Sequence, residues 1–236
     1  MKNPVKSVAR AWLTKKVHRI AVGTATAMMF GSTLAGAVTF DFVSLANGNE
    51  KGYTTFTDTE GGITLEATGQ SADGKQDYYA YMDSGYAGLG VCKVLTTGDQ
   101  CGPSSDDNVT FDERLRLSFS QPVSLSDVTF INGYHGSAFD GIFQLGVDGA
   151  PMMSFDLAHH FSTDLTGTTF DFVNPNIQGD SYVSNGYQFY IGSLNVTASP
   201  VPVPAAGWLF VSGILGLIGL SRHRKAAPVA LRRQAR

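Results

Sequence analysis

Short runs in which apolar and polar residues alternate are the feature that most limits how this chain can fold. In the run RLRLSF at 114–119, Leu115, Leu117 and Phe119 point to one side of an extended chain, and the residues between them point to the other. This pattern is typical of an antiparallel strand with one face in the core and the other in water. Similar runs cover residues 38–45, 62–67, 127–131, 142–147, 168–173 and 187–198.

The turns between these runs indicate the class of fold. Gly, Asp, Asn and Ser interrupt the runs, and no stretch from Val38 to Ser199 has a helical apolar period of useful length. About 160 residues are enough to bury the core of one domain. The sequence therefore predicts an all-β domain over residues 38–199, an antiparallel β-sandwich or jelly roll.

Charge is distributed unevenly along the chain, although the formal net charge is only −3. Residues 1–37 and 201–236 each hold six Lys or Arg and no acid, whereas the middle holds five basic residues and all 20 acids, a net charge of −15. Nucleic-acid binding needs positive charge on the folded surface, so an acidic domain between basic ends argues against it. The same distribution disfavours an ordinary cytosolic enzyme.

The amino-terminal segment has the three parts of an export signal. Basic residues from Lys2 to Arg19 precede an uncharged stretch, Ile20–Leu34, and the small residues Ala35-Gly36-Ala37 follow it. An uncleaved anchor or an internal amphipathic segment is the alternative, but 15 residues rich in Gly, Ser and Thr are short for a permanent span. We predict a signal peptide over residues 1–37, with the mature chain starting at Val38.

The carboxyl-terminal segment predicts a single membrane helix. The apolar stretch Ala205–Leu220 is about 24 Å long as a helix, slightly less than the roughly 30 Å hydrocarbon core, with Trp208 near its start. Basic residues follow it, so the positive-inside rule predicts both ends of the chain inside and the acidic domain outside. A buried hairpin helix is the alternative, but such a helix would have a polar face. Residues 226–236 are predicted to be a basic cytoplasmic tail.

Residues 200–225 combine a Pro motif, a Gly-rich apolar helix with an early Trp, and an Arg-rich cluster. In this order they resemble the PEP-CTERM sorting tail of exported proteins from Gram-negative bacteria that make extracellular polysaccharide. The family motif is Val-Pro-Glu-Pro, and Val203 stands here at the Glu position, as in Val-Pro-x-Pro-Ala variants. The resemblance implies processing by an exosortase, a membrane protease-transpeptidase, and then release or transfer to the surface. The matching residues are Val201, Pro202, Val203, Pro204, Arg222, Arg224 and Lys225.

Two cysteines, Cys92 and Cys101, lie in the domain that we predict to be exported. In an oxidising compartment they should form a disulfide bond. A redox or zinc role is less favoured, because CxxC spacing and a nearby histidine are missing. The surrounding residues, 88–119, are predicted to be a long loop, pinned by the disulfide, that leads into a strand.

Acidic residues are densest close to the second cysteine, with the amide of Asn108 among them. Clustered carboxylate and amide oxygens are the ligands that Ca²⁺ prefers. We therefore predict a candidate Ca²⁺ site, with a solvated acidic loop as the alternative and with Asp73 and Asp77 as a poorer second site. The candidate ligands are Asp99, Asp106, Asp107, Asp112 and Glu113.

Tyrosines predict a candidate glycan-binding face. Tyr78, Tyr79, Tyr81 and Tyr86 crowd one short segment, and an exposed tyrosine can stack on a sugar ring while its hydroxyl forms hydrogen bonds. We take Tyr78, Tyr79 and Tyr81 as the candidate residues. The alternative is that these side chains belong to the core, since half of any alternating set points inward.

Catalytic motifs are missing from the sequence. It has no Gly-x-Ser-x-Gly, no His-Glu-x-x-His and no phosphate loop, and GYAGLG at 85–90 is predicted to be a turn. His135, His159 and His160 are expected to be ordinary surface residues, the alternative being a metal ligand or a base paired with Asp156 or Asp164.

Together these patterns predict a non-enzymatic exported protein of the cell surface or the extracellular polysaccharide matrix. It would reside transiently in the inner membrane and have an exosortase-type protease, and extracellular polysaccharide, as partners. A Ca²⁺-dependent carbohydrate-binding module is the alternative, and a secreted hydrolase, which needs only two well-placed carboxylates, is a third.

Overall fold

Antiparallel β-strands dominate the computed structural model, which describes residues 36–104, 106–176, 187–199 and 212–216. The predicted all-β class is confirmed. Within the described residues the chain forms eleven strands and the helix α1: β1 Ala37–Asp41, α1 Phe42–Ala46, β2 Lys51–Tyr53, β3 Phe56–Glu60, β4 Ile63–Ser71, β5 Asp77–Asp83, β6 Gly88–Cys92, β7 Glu113–Asn132, β8 Ile142–Val147, β9 Met153–Asp156, β10 His160–Val173 and β11 Phe189–Ala198.

The strand pairings close into a barrel. Neighbouring strands pair in the order β4, β5, β6, β11 and β7, and β7 pairs in turn with β4. The other strands extend this ring. The strands β10, β8 and β9 continue outward from β7 in that order. The strand β1 pairs with β11, β2 pairs with β5, and β3 pairs with β4. The sequence predicted a sandwich or jelly roll, whereas the described strands form one sheet that closes on itself.

The long strand β7 makes this closure possible because it changes partner along its length. Its residues 113–119 pair with β4, and its residues 123–132 pair with β11. Pro122 lies between the two halves, where a residue without an N–H group costs no hydrogen bond between strands. The runs predicted at 114–119 and 127–131 are therefore two halves of one 20-residue strand.

The first predicted strand, residues 38–45, is wrong in its second half. The strand β1 ends at Asp41, and the helix α1 begins at the next residue. The Asp41 carboxylate caps this helix by accepting hydrogen bonds from the Ser44 N–H at 3.0 Å and from the Ser44 hydroxyl at 2.7 Å. Because this cap starts a helix, the extended chain with its alternating apolar and polar residues ends at Asp41.

The expectation of a long loop over residues 88–119 is also wrong at its start. Residues 88–92 form β6, and every one of them is buried. A strand that is covered on both faces has no polar residues to alternate with, so its sequence, GLGVC, lacks the expected pattern. The turn predicted at 85–90 ends where β6 begins at Gly88.

One hydrophobic core fills the barrel, and phenylalanines are its largest members. The ring centroid of Phe130 on β7 is 4.9 Å from that of Phe143 on β8 and 5.1 Å from that of Phe189 on β11. All three side chains are fully buried. These aromatic contacts connect strands that are distant in the sequence.

The two ends of the barrel domain lie side by side. Ala37 in β1 pairs with Thr197 in β11, so the start of the first strand lies beside the end of the last. Tyr190 lies near the other end of β11, roughly 25 Å away at about 3.3 Å per residue. We call the end of the barrel at Tyr190 the distal end.

The predicted terminal signals fall mostly on residues outside the described part of the chain. These residues include 1–35, the Pro motif at 201–204 and the segment 217–236. Of the predicted membrane helix at 205–220, residues 212–216 are described, and they are helical. A search of the described residues finds no helix long and apolar enough to cross a membrane.

Candidate functional site

Two turns meet at the distal end of the barrel. Residues 83–88 connect β5 to β6, with Asp83 opposite Gly88, and residues 133–136 follow the end of β7 at Asn132. The His135 ring joins the two turns, since its Nδ1 lies 2.9 Å from the Gly85 carbonyl oxygen.

Asn132 determines the shape of the second turn. Its Oδ1 accepts hydrogen bonds from the N–H groups of Tyr134 and Gly136, both at 2.9 Å, and its Nδ2 donates to the Ala138 carbonyl at 2.6 Å. The Asn132 side chain is buried. A buried amide with these three partners holds the backbone of the turn in one conformation.

The His135 ring faces a hydrogen-bond acceptor at each nitrogen. Nδ1 faces the Gly85 carbonyl, and Nε2 lies 3.0 Å from Asp83 Oδ2. Both contacts are hydrogen bonds only when both ring nitrogens carry protons, or when the Asp83 carboxyl carries one.

A buried tyrosine lies below the His135 ring, between two carboxyl groups. The Tyr190 hydroxyl donates to Asp107 Oδ1 at 2.6 Å, and Tyr190 is 1% exposed. Burial raises the pKa of Asp83, and the hydroxyl of Tyr190 opposes that rise. Burial likewise raises the pKa of Asp107 to about 6. Desolvation and both carboxylates raise the pKa of Tyr190.

Glu50 extends the same network. Its carboxylate accepts hydrogen bonds from the Ser84 hydroxyl and, at 3.4 Å, from the buried Tyr81 hydroxyl. The distal end thus gathers the carboxyl groups of Glu50, Asp83 and Asp107 around a single histidine. This local charge disfavours an anionic ligand.

Two tyrosine rings project from the distal turns. Tyr86 is 61% exposed and Tyr134 is 72% exposed. Tyr86 directly follows Gly85 in the sequence, and Tyr134 directly precedes His135, and these two neighbours form the contact between the turns. In the sequence, Tyr86 stands out only as part of an aromatic cluster. Tyr134 was not predicted, and its only signal is its place in the turn sequence NGYHG at 132–136.

The five predicted Ca²⁺ ligands do not converge. Asp99 and Asp112 are exposed turn residues with φ of 61° and 63°, and Asp107 belongs to the distal network. Asp106 and Glu113 are brought together, but by the ammonium group of Lys93, at 3.3 Å and 2.6 Å from its Nζ. Among the described residues, no three His, Cys, Asp or Glu side chains are grouped so that they could hold a metal ion.

Glu113 is the most deeply buried acid of that set, with 0% of its surface exposed. Burial raises its pKa to about 7, against the effect of Lys93 and of the Thr110 N–H group, which donates to Oε2 at 2.7 Å. Burial lowers the pKa of Lys93, but the carboxylates of Glu113 and Asp106 outweigh this effect and raise it overall. These contacts describe a structural ion pair at the start of β7.

The predicted glycan residues are only partly accessible. Tyr78 and Tyr79 are half-buried, and Lys93 Nζ lies 5.9 Å from the centroid of the Tyr78 ring. Tyr81 is 2% exposed, because its place in the barrel wall hides the ring, so the structure does not favour its predicted stacking role. Asp73, from the poorer metal pair, binds Lys75 and Ser71 instead, and Asp77 is exposed at the start of β5.

The predicted disulfide between Cys92 and Cys101 is confirmed. It closes a small hairpin in which the Thr96 N–H donates to the Gln100 carbonyl at 2.7 Å and the Gly102 N–H donates to the Val94 carbonyl at 2.9 Å. The crosslink thus fastens this hairpin to the end of β6.

The two adjacent histidines contact β7. His159 Nδ1 lies 2.7 Å from the Phe130 carbonyl oxygen, and His160 Nδ1 lies 3.5 Å from the Thr129 hydroxyl. Their ring centroids are 4.4 Å apart. Both contacts fit residues that secure the start of β10 against β7.

No model of a known protein family matches this chain, and no curated protein matches its sequence. The case for a function therefore depends on the residues themselves.

Proposed function

We propose that this chain is an exported, non-enzymatic protein of the cell surface or the extracellular polysaccharide matrix. The signal peptide at 1–37 directs its export, and the helix at 205–220 holds it transiently in the inner membrane. An exosortase-type protease then processes the sorting tail. The observation that carries this proposal is the pair of basic, apolar terminal segments on either side of an acidic domain with a net charge of −15.

The position of the domain ends supports this topology. Because Ala37 pairs with Thr197, the segments that precede and follow the domain leave it side by side. Two membrane-directed segments that start from the same end allow the acidic domain to stand on one side of the membrane.

The disulfide supports the same compartment. Disulfide bonds persist in oxidising environments such as the periplasm and the cell surface and are rare in the cytosol. The bond between Cys92 and Cys101 fits an exported domain.

The proposal predicts that the Pro motif is needed for sorting. In the natural host, we expect the wild-type chain in the surface or medium fraction and the double variant Pro202→Ala/Pro204→Ala in the inner membrane. Pro200→Ala, which changes a proline just upstream of the motif, is the matched control and should sort as the wild type does. Fractionation followed by immunoblotting measures the distribution, and identical distributions for all three chains would refute a sorting role for the motif.

Carbohydrate binding is a second candidate function, and the exposed rings of Tyr86 and Tyr134 favour it. Since the predicted Ca²⁺ ligands do not converge, we propose this binding without a role for Ca²⁺. A secreted hydrolase is less well supported. The carboxyls of Asp83, which is buried, and Asp107, which is half-buried, lie around the Tyr190 hydroxyl rather than across an open cleft.

A further inference from the structure

We infer that the distal end of the barrel is a binding site for a neutral polysaccharide chain, with Tyr86 and Tyr134 as its stacking rings. The polar groups of the two distal turns supply the hydrogen bonds. This site lies outside the residues first predicted for a glycan, and it is independent of how the sorting tail is processed.

The two rings are exposed on turns that contact each other. Tyr86 is 61% exposed and Tyr134 is 72% exposed, and both follow the barrel wall by only a few residues. The hydrogen bond of 2.9 Å between His135 and Gly85 joins the backbone segments that carry them. Because these segments lie side by side, we take both rings as parts of one binding face.

The backbone of both turns adopts a conformation that is unusual for large side chains. Tyr86 has a φ of 73° and His135 a φ of 59°, which is the left-handed region that bulky side chains rarely adopt. Such conformations persist where the surroundings impose them, and they cluster at ligand-binding sites. Here His135 and Asn132 impose them through the Gly85 carbonyl and the backbone of residues 134–136.

The polar groups of the distal end suit the hydroxyl groups of a sugar. A tyrosine ring stacks on the apolar face of a sugar, while carboxyl and hydroxyl groups bond its hydroxyls. The segments that carry the two rings also contain Asp83, Ser84 and His135, and the same network includes the carboxyls of Glu50 and Asp107. These acids repel phosphate, sulfate and uronate groups, so the chemistry fits a neutral sugar.

The distal end lies far from the two ends of the domain. The two ends of the domain leave the barrel at the Ala37–Thr197 pair, roughly 25 Å along β11 from Tyr190. Before its sorting tail is processed, a chain held by residues 205–220 therefore presents the distal turns away from the attachment point, a step that rests on the topology proposed above. A polysaccharide outside the cell can reach them there.

Affinity electrophoresis of the full-length chain tests this inference. The native gels contain Triton X-100, which carries no sugar, and one probe each: hydroxyethylcellulose, glucomannan, xyloglucan, dextran or, as an acidic probe, polygalacturonate. We expect at least one neutral probe to retard the wild type more than polygalacturonate does. We expect Tyr86→Asn and Tyr134→Ala each to raise the dissociation constant about threefold to tenfold. Asn is chosen at position 86 because it tolerates a positive φ.

Two kinds of control keep the test specific. Tyr86→Phe and Tyr134→Phe retain the rings and should retain most of the binding, while Phe111→Ala removes an aromatic ring, 41% exposed, outside the proposed site and should change nothing. Circular dichroism confirms that each variant is folded. The inference is overturned if no neutral probe retards the wild type, if polygalacturonate binds best, or if the Tyr86→Asn/Tyr134→Ala double variant binds as the wild type does. Loss of binding only in Tyr78→Ala or Tyr79→Ala would also overturn it. Each of these results leaves the export proposal untouched.

Discussion

Asn132 is the single residue on which the second distal turn depends most. It is buried, and its side-chain amide makes three hydrogen bonds to the backbone of residues 134–138. Removing it leaves those backbone groups without their partner, which costs more than the bonds themselves contribute.

We predict that Asn132→Ala lowers the free energy of unfolding by roughly 2–4 kcal/mol. The matched variant Asn132→Asp keeps the acceptor for Tyr134 and Gly136. At pH 4, where its carboxyl can carry a proton that replaces the donor to Ala138, it should lose clearly less than Asn132→Ala. Urea unfolding of both variants measures the difference. If both variants lose the same free energy of unfolding, the acceptor oxygen at position 132 does not hold the turn.

The carboxyls of Glu113, which is fully buried, and Asp107, which is half-buried, predict how stability changes with pH. Burial raises the pKa of Asp107 from 3.8 to about 6 and that of Glu113 from 4.5 to about 7. At a pH between its ordinary pKa and its raised pKa, each of these carboxyls is protonated in the folded chain and ionised in the unfolded chain. The free energy of unfolding contributed by these groups therefore falls as pH rises from about 4 to about 7.

We predict that Asp107→Asn and Glu113→Gln each flatten this fall, by roughly 2 kcal/mol over the range. Asp140→Asn, which changes an exposed acid, is the control and should leave the slope unchanged. Urea unfolding at intervals from pH 4 to pH 8 gives the slopes. A wild type whose stability rises steadily over that range would contradict the assignment.

At the scale of single residues, only part of the candidate site could be predicted from the sequence. The disulfide between Cys92 and Cys101 was predictable, because two cysteines in one chain have only one possible pairing. The grouping of Asp83, Asp107 and His135 was not, because the three residues lie in separate segments that meet only when the barrel closes. Density of acids along the chain is a poor guide to which carboxyls meet in space.

At the scale of elements, the hairpin closed by the disulfide connects β6 to the segment before β7. Its two cysteines are nine positions apart, so the crosslink closes a short loop. Such a crosslink stabilises the fold chiefly by restricting the unfolded chain.

We predict that Cys92→Ser/Cys101→Ser lowers the free energy of unfolding by about 2–3 kcal/mol. Reduction of the wild type with dithiothreitol should produce a similar loss, which serves as an internal check. Guanidinium unfolding provides both values. A double variant as stable as the oxidised wild type would mean that the loop closure is energetically neutral.

Close contact between β4 and β5 requires a glycine at position 69. A Cβ atom added there would lie 2.6 Å from the Tyr79 carbonyl oxygen, so the backbone would have to move. We predict that Gly69→Ala destabilises the barrel by roughly 1–3 kcal/mol. Thr68→Ala, on the same strand but half-buried, should cost less, and thermal unfolding of the two variants tests the order.

Strands with one covered face were the predictable elements. The run at 142–147 matches β8 residue for residue, since its alternation reflects one buried face. The buried strand β6 was missed because it has no polar face, and α1 was missed because a cap at Asp41 overrides the local pattern. The joining of two runs into β7 depends on pairings with β4 and β11 that no local window contains.

At the scale of the whole molecule, the two ends of the barrel carry different parts of the chain. The end at Ala37 and Thr197 leads to the terminal segments, and the distal end carries the exposed tyrosines. The all-β class could be predicted from the sequence. The sequence could not predict that the ends of the domain lie together, because that follows from the pairing of β1 with β11.

The mass of the mature protein, isolated from its natural host, tests the central claim most directly. Intact-mass spectrometry should find a species that begins at Val38 and ends before Ala205, with both basic terminal segments removed. A mature species that retains residues 222–236 would contradict processing of the sorting tail and would make the chain a permanently anchored membrane protein.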